Sequence, residues 1–171
     1  MVIEESGMTF GNYPEEDVFH IEKSQQYQRK LMSNGVKCCE FVLLRGRTIY
    51  FIEAKTSKPK EITANSETEK REKYKSYITE IITKMKHSVS LYASILLERH
   101  DQVDIPEKHR EQKLSDKEIK LVLVVKNAEV EWLIPLQDTL RSELRVFCSI
   151  WKIRNMFVIN EMSARKKHLV V

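Results

Sequence analysis

The chain has 171 residues, 42% hydrophobic and 32% charged, with 4 Gly, 4 Pro and a formal net charge of +4. That length suits one domain around one core, and that balance excludes a disordered or low-complexity polymer. No apolar run approaches the roughly 18 residues of a membrane span, and the three cysteines show no disulfide or zinc spacing.

The start, Met1 to Glu5, is acidic where a signal peptide would be basic, so a cytoplasmic location is expected. Residues 1–20 carry Glu4, Glu5, Glu15, Glu16 and Asp17 and no Lys or Arg, so the remaining chain is more basic than the net value suggests. This permits a polyanionic partner, although a run such as Lys70-Arg71-Glu72-Lys73 is equally a solvated helix face.

In chain order, residues 1–17 read as an irregular arm, broken by Gly7, Gly11 and Pro14. A short extended or helical entry at 18–24 leads through polar residues 25–30 to a turn at Ser33-Asn34-Gly35. Two β-rich runs, Val36 to Leu44 and Thr48 to Ala54, flank Arg45-Gly46-Arg47 and predict a hairpin, with Cys38 and Cys39 on opposite faces of its first strand. Pro59 and the polar stretch to Ser66 end the second strand. Tyr74, Ile78, Ile81, Ile82, Met85, Val89, Tyr92 and Leu96 then recur at helical steps and predict a helix over about 67–98, with Lys70, Lys73 and Lys84 off its apolar stripe or at the rim.

Residues 100–118 are charged and predict a surface connection or short exposed helix. Ile119 to Val125 is a buried strand. Pro135 suits the first turn of a second helix carrying Leu136, Leu140, Leu144 and Phe147. Met156 to Ile159 is a further strand, and Asn160-Glu161 caps a short basic helix ending near His168. Strands alternating with helices predict an α/β fold: one domain over 18–171, its mixed sheet starting with a hairpin and covered by helices on both faces.

Chemistry concentrates in Phe51-Ile52-Glu53-Ala54-Lys55. Strand alternation puts Glu53 and Lys55 on one face. A loop Arg45 to Thr48 sets Leu44 opposite Ile49 and Glu40 opposite Glu53; a two-residue turn sets Glu40 opposite Phe51, diagonal to Glu53. Either register brings the carboxylates within reach of one cation, whereas a three-residue loop would separate them. Two such carboxylates repel unless a cation joins them, and hard oxygen donors favour Mg²⁺ or Mn²⁺. An isolated Glu-x-Lys is commonplace, and Glu40 could equally pair with Lys55 or Lys37. Its placement in a hairpin followed by helix, strand, helix and strand is what singles it out.

With these residues the chain resembles the PD-(D/E)XK, or restriction-endonuclease-like, nuclease superfamily, over about residues 18–160. The resemblance implies that Glu40 and Glu53 are the two acidic positions, that Lys55 is the catalytic lysine and that the Ala54 carbonyl is a further metal ligand. It also suggests Glu22 as a glutamate contributed from before the hairpin. The chain departs from the family pattern in having Cys39-Glu40 where the name implies Pro-Asp, and Ser88 with Tyr92 where the RecB-like branch carries Gln and Tyr. Ser57, Lys84 and His87 are candidates to touch substrate phosphate or water.

The expected function is therefore Mg²⁺- or Mn²⁺-dependent hydrolysis of a phosphodiester, with DNA as substrate and 5′-phosphate ends implied by the resemblance. No separate reader motif appears, so specificity would come from the nuclease surface, a homo-oligomer or a partner protein. The alternatives are a non-catalytic nucleic-acid-binding or assembly subunit that keeps the fold, and an unrelated α/β protein with an accidental acidic pair.

Overall fold

The alternation seen in the sequence becomes two apolar faces on one sheet. A computed structural model describes residues 1–57, 67–154 and 156–171, so the expected strand end from Pro59 to Ser66 lies outside the described residues. Strands β1 (Ile3–Glu5) and β2 (Met8–Phe10) form a small antiparallel hairpin. After β3 (Val18–Phe19) and a helical turn at Ile21–Lys23 come β4 (Phe41–Arg45) and β5 (Thr48–Ser57). Helix α1 (Glu67–Leu96), the single turn α2 (Glu107–Arg110), β6 (Glu118–Asn127), α3 (Val130–Trp151), β7 (Met156–Asn160) and α4 (Glu161–Lys166) follow. The main sheet has the order β3-β4-β5-β6-β7, antiparallel through β5 and parallel from β5 to β7.

Val42, Leu44, Ile49, Phe51, Leu121, Leu123 and Val125 face α1 and α3 in one core. Phe41, Leu43, Ile52, Ala54, Val122 and Val124 face the other side, under β1, β2 and the segment around α4. Strand β5 lies between an antiparallel and a parallel neighbour, which is why it is apolar on both faces until Glu53. Its hairpin with β4 closes through Gly46 (φ 59°) and Arg47, the positive φ that glycine tolerates in a tight hairpin turn. Leu44 pairs with Ile49 and Phe41 with Ile52, the first of the two expected registers.

Four expectations need correction. The arm expected to be irregular is a packed hairpin: Ile3, Met8, Phe10 and Tyr13 are all buried, because the sheet face beneath them has only the short α4 to cover it. Cys38 and Cys39 precede β4 rather than alternate along it, and both enter the core on the α1 side. Helix α3 begins five residues before Pro135, which therefore sits beyond the first turn. Leu133, buried on the near side, holds that turn in place although the proline cannot donate to the Glu131 carbonyl. Finally, the connection after α1 is not wholly superficial. His109 is buried, with its Nδ1 2.9 Å from the Tyr92 hydroxyl and its Nε2 3.0 Å from the Asp17 carbonyl.

The α1 stripe packs as its spacing predicts: Ile78, Ile81, Met85 and Val89 are buried and Ile82 is half-buried. Lys70 and Lys73 are exposed, but Lys84 is not. Since Ile81 is fully enclosed in this core, Ile81→Ala should lower unfolding stability by about 2–5 kcal/mol, measured by urea titration with circular dichroism.

Candidate active site

Three segments bring acids to one point on the α1 face of the sheet. The turn at Ile21–Lys23 supplies Glu22, the residue before β4 supplies Glu40, and β5 supplies Glu53. Two contacts to α1 fix the approach to β4. The Lys37 amide donates to His87 Nδ1 (3.1 Å), and the Cys39 amide donates to the Ser88 hydroxyl (2.8 Å), which itself donates to the Lys84 carbonyl (2.7 Å). The Glu40 amide donates to the Ile52 carbonyl (3.0 Å), so Glu40 enters beside β5 just where that strand turns polar.

The cation at the centre is Lys84. Its Nζ lies 2.9 Å from Glu53 Oε1, 3.6 Å from Glu40 Oε1 and 3.7 Å from Glu22 Oε1. Only 9% of Lys84 and none of Glu53 is exposed. Lys55 Nζ lies 3.2 Å from Glu53 Oε1 and 2.6 Å from Glu80 Oε1, nearer the rim of the site. Both ammonium groups approach Glu53 Oε1, and Oε2 has no hydrogen-bond partner among the described residues.

The charges explain the protonation states. Burial raises the Glu40 carboxyl to about 9, helped by its hydrogen bond to Glu22 and by the Glu53 charge, against the pull of Lys84. Burial also raises Glu53, with Lys84 and then Lys55 opposing it. Burial works against the charged form of Lys84, but the surrounding glutamates, Glu53 first, hold its pKa above the usual lysine value. For Lys55 burial again opposes the charge and is the largest single influence, but the Glu80 hydrogen bond and the charges of Glu53 and Glu80 together outweigh it and raise its pKa. Two lysines offset part of the charge on the acids, and burial beside Glu22 and Glu53 favours a proton on Glu40.

The structure brings Glu22, Glu40, Glu53 and Lys55 together. Ser57 is half-buried at the end of β5, two residues beyond Lys55 and on the same side of the strand. His87 serves the Lys37 amide. The Ala54 carbonyl accepts from the Ser6 hydroxyl at 3.0 Å, which leaves it one lone pair. Lys84, expected at the rim, is instead the hub, and Glu80 was not anticipated. The signal for both was the α1 spacing: Tyr77, Ile81, Lys84, Ser88 and Leu91 recur at four and three, so Lys84 belongs to an inward row, with Glu80 one turn before it. A cleft of about 660 Å³ adjoins the site and is lined by Lys37, Lys73, Lys75, Tyr77, Glu80 and Thr83 among others.

Among the described residues, no three His, Cys, Asp or Glu side chains stand as a ready-made metal cage. The class defined by fold and site is a single α/β domain whose mixed five-stranded sheet carries an acid and lysine cluster at its central strand. No family model matches the chain, and no curated protein or solved structure is significantly similar to it.

Since folded Glu40 keeps its proton to about pH 9 and unfolded Glu40 releases it near 4.5, the unfolded state binds fewer protons between those values, and this group's contribution to stability falls as pH rises. In metal-free buffer, Glu40→Gln should therefore gain melting temperature relative to wild type progressively from pH 5 to pH 9. A difference independent of pH would mean that Glu40 is already ionised in the fold.

Proposed function

We propose that this chain is a divalent-metal-dependent nuclease of the PD-(D/E)XK type, hydrolysing phosphodiester bonds of DNA. The observation carrying the reading is the convergence of Glu22, Glu40 and Glu53 on one cation, with Lys55 beside them. The antiparallel hairpin leading into parallel β5-β6-β7 is compatible with the restriction-endonuclease-like arrangement.

The donors are hard oxygens of the kind that hold a divalent ion, but as placed they surround the Lys84 ammonium rather than a ready cage. Glu53 presents a buried carboxylate whose Oε2 has no partner among the described residues, and Glu40 and Glu22 face the same point. Glu53, Glu40 and Glu22 would hold Mg²⁺ or Mn²⁺, with the free lone pair of the Ala54 carbonyl available. When bound, the ion supplies Lewis-acid polarisation of a phosphoryl oxygen and acidifies water. The chain's residues divide the remaining work. To hold the ion, Glu40 would have to lose its proton to solvent, and the Lys84 ammonium would have to move away from the acids. Lys55, held by Glu80 at the more open side, orients water and offsets negative charge developing on the phosphate.

Lys55→Ala should lower cleavage of plasmid or linear DNA in Mg²⁺ or Mn²⁺ by orders of magnitude while leaving low-salt DNA binding largely intact. Cleavage at the wild-type rate would assign any nuclease activity to another site. Calorimetry with Mn²⁺ should show binding that tightens with pH and releases protons, and that disappears in a Glu40→Gln, Glu53→Gln double variant. Equal binding by that variant would remove the acids from the metal site.

One observation favours a second reading, a non-catalytic nucleic-acid-binding or assembly subunit: Lys84 already supplies the cation that the acids require. On that reading Mn²⁺ fails to bind, neither protein cleaves, and Lys84→Met lowers the melting temperature without any divalent ion restoring it.

A further inference from the structure

A second charged feature lies away from the acid cluster. The C-terminal half of α3 and the start of β7 enclose a cleft of about 470 Å³ lined by Arg141, Arg145, Lys152 and Arg154, with Cys148 and Ser149 between them. No acidic residue lines it, and none of the four cations forms an ion pair among the described residues. The cleft beside the acid site differs in kind, for its lysines are interspersed with Glu72 and Glu80.

A helix end attracts cations by itself, because its terminal carbonyls carry partial negative charge. That accounts for Lys152, the residue capping α3, and for Arg154 beyond it. It does not account for Arg145 and Arg141, which lie about two and three turns back from the helix end. Arg141 is also held in place: its Nε donates to the Met156 carbonyl at 3.0 Å, so its terminal nitrogens are presented to the cleft at little entropic cost. Lys86 of α1 is close enough for its charge to act on the Cys148 thiol, adding a fifth positive group to the neighbourhood.

We infer that this cleft binds the phosphodiester backbone of a nucleic acid, with Arg141, Arg145, Lys152 and Arg154 contacting successive phosphates. Mutually repelling, unpaired cations around a concave surface need polyanion neutralisation, and guanidinium groups match phosphate oxygens by paired hydrogen bonds. A flat anionic membrane fits this concavity less well. The inference shares nucleic acid as partner with the proposed nuclease reading, but it requires neither metal binding nor cleavage.

The test is fluorescence anisotropy of a labelled DNA duplex and of a single strand over a salt series, without divalent ions. It compares wild type, Arg145→Glu/Arg154→Glu and Arg145→Lys/Arg154→Lys. The charge-reversed protein should bind at least about tenfold more weakly, and its slope of log affinity against log salt should shrink by about 2, at close to one for each phosphate that is no longer neutralised. The lysine variant should keep most of the affinity and the slope. Arg145 and Arg154 are exposed, and unchanged circular dichroism and melting temperature would show that the reversal leaves the fold intact. Equal affinity and slope in wild type and the charge-reversed protein would overturn the inference. So would no DNA binding by wild type, or binding of vesicles containing phosphatidylserine in place of DNA. Loss of cleavage or of Mn²⁺ binding with this pattern intact would overturn the nuclease reading alone.

Discussion

The buried ammonium of Lys84 is the interaction on which the site depends. Removing a carboxylate such as Glu53 from water costs several kcal/mol even after relaxation, and only a well-placed opposite charge makes that burial tolerable. Lys84 serves three acids at once, at 2.9, 3.6 and 3.7 Å, and those acids come from three separate stretches of chain. It therefore links α1 to the turn before the sheet, to the entry of β4 and to the middle of β5. Ser88, one turn on, ties the Cys39 amide to the same helix, so the position of Glu40 is set by backbone as well as by charge.

The two lysines occupy different environments and have different chemical reach. Lys84 is sunk among carboxylates, and its side chain is the less exposed of the two, at 11% against 22% for Lys55. Lys55 bridges Glu53 and the more accessible Glu80, so it stands between the buried acids and the adjoining cleft. The centre of the acids is already occupied by a positive charge, so any cation reaching them would have to displace the Lys84 ammonium.

Much of this was legible because strands and helices have fixed periods. Period two identified both faces of β5 and placed Glu53 with Lys55; the position of Gly46 between two apolar runs left two registers open, and the structure selects the one that pairs Leu44 with Ile49. The three- and four-residue steps predicted α1 almost to its ends. What escaped was set by tertiary packing. The N-terminal hairpin exists because the second sheet face lacks a long helix, a vacancy that local sequence does not announce. Pro135 misled because a local rule about helix starts yielded to the anchoring of Leu133. Lys84 was misplaced because a lysine in a helix is ordinarily solvated, and only the acids gathered opposite it reverse that preference.

The order of strands along the chain bears on how this site is made. Glu22, Glu40, Glu53, Lys55, Glu80 and Lys84 all precede β6, yet Glu53 pairs with Leu123 of β6, so β5 acquires its second neighbour only when that later strand arrives. During synthesis the Glu53 carboxylate therefore stays hydrated while α1 is still emerging. The helix that covers the Glu53 face is also the one that carries Lys84, so the acid loses water only as the lysine that neutralises it arrives.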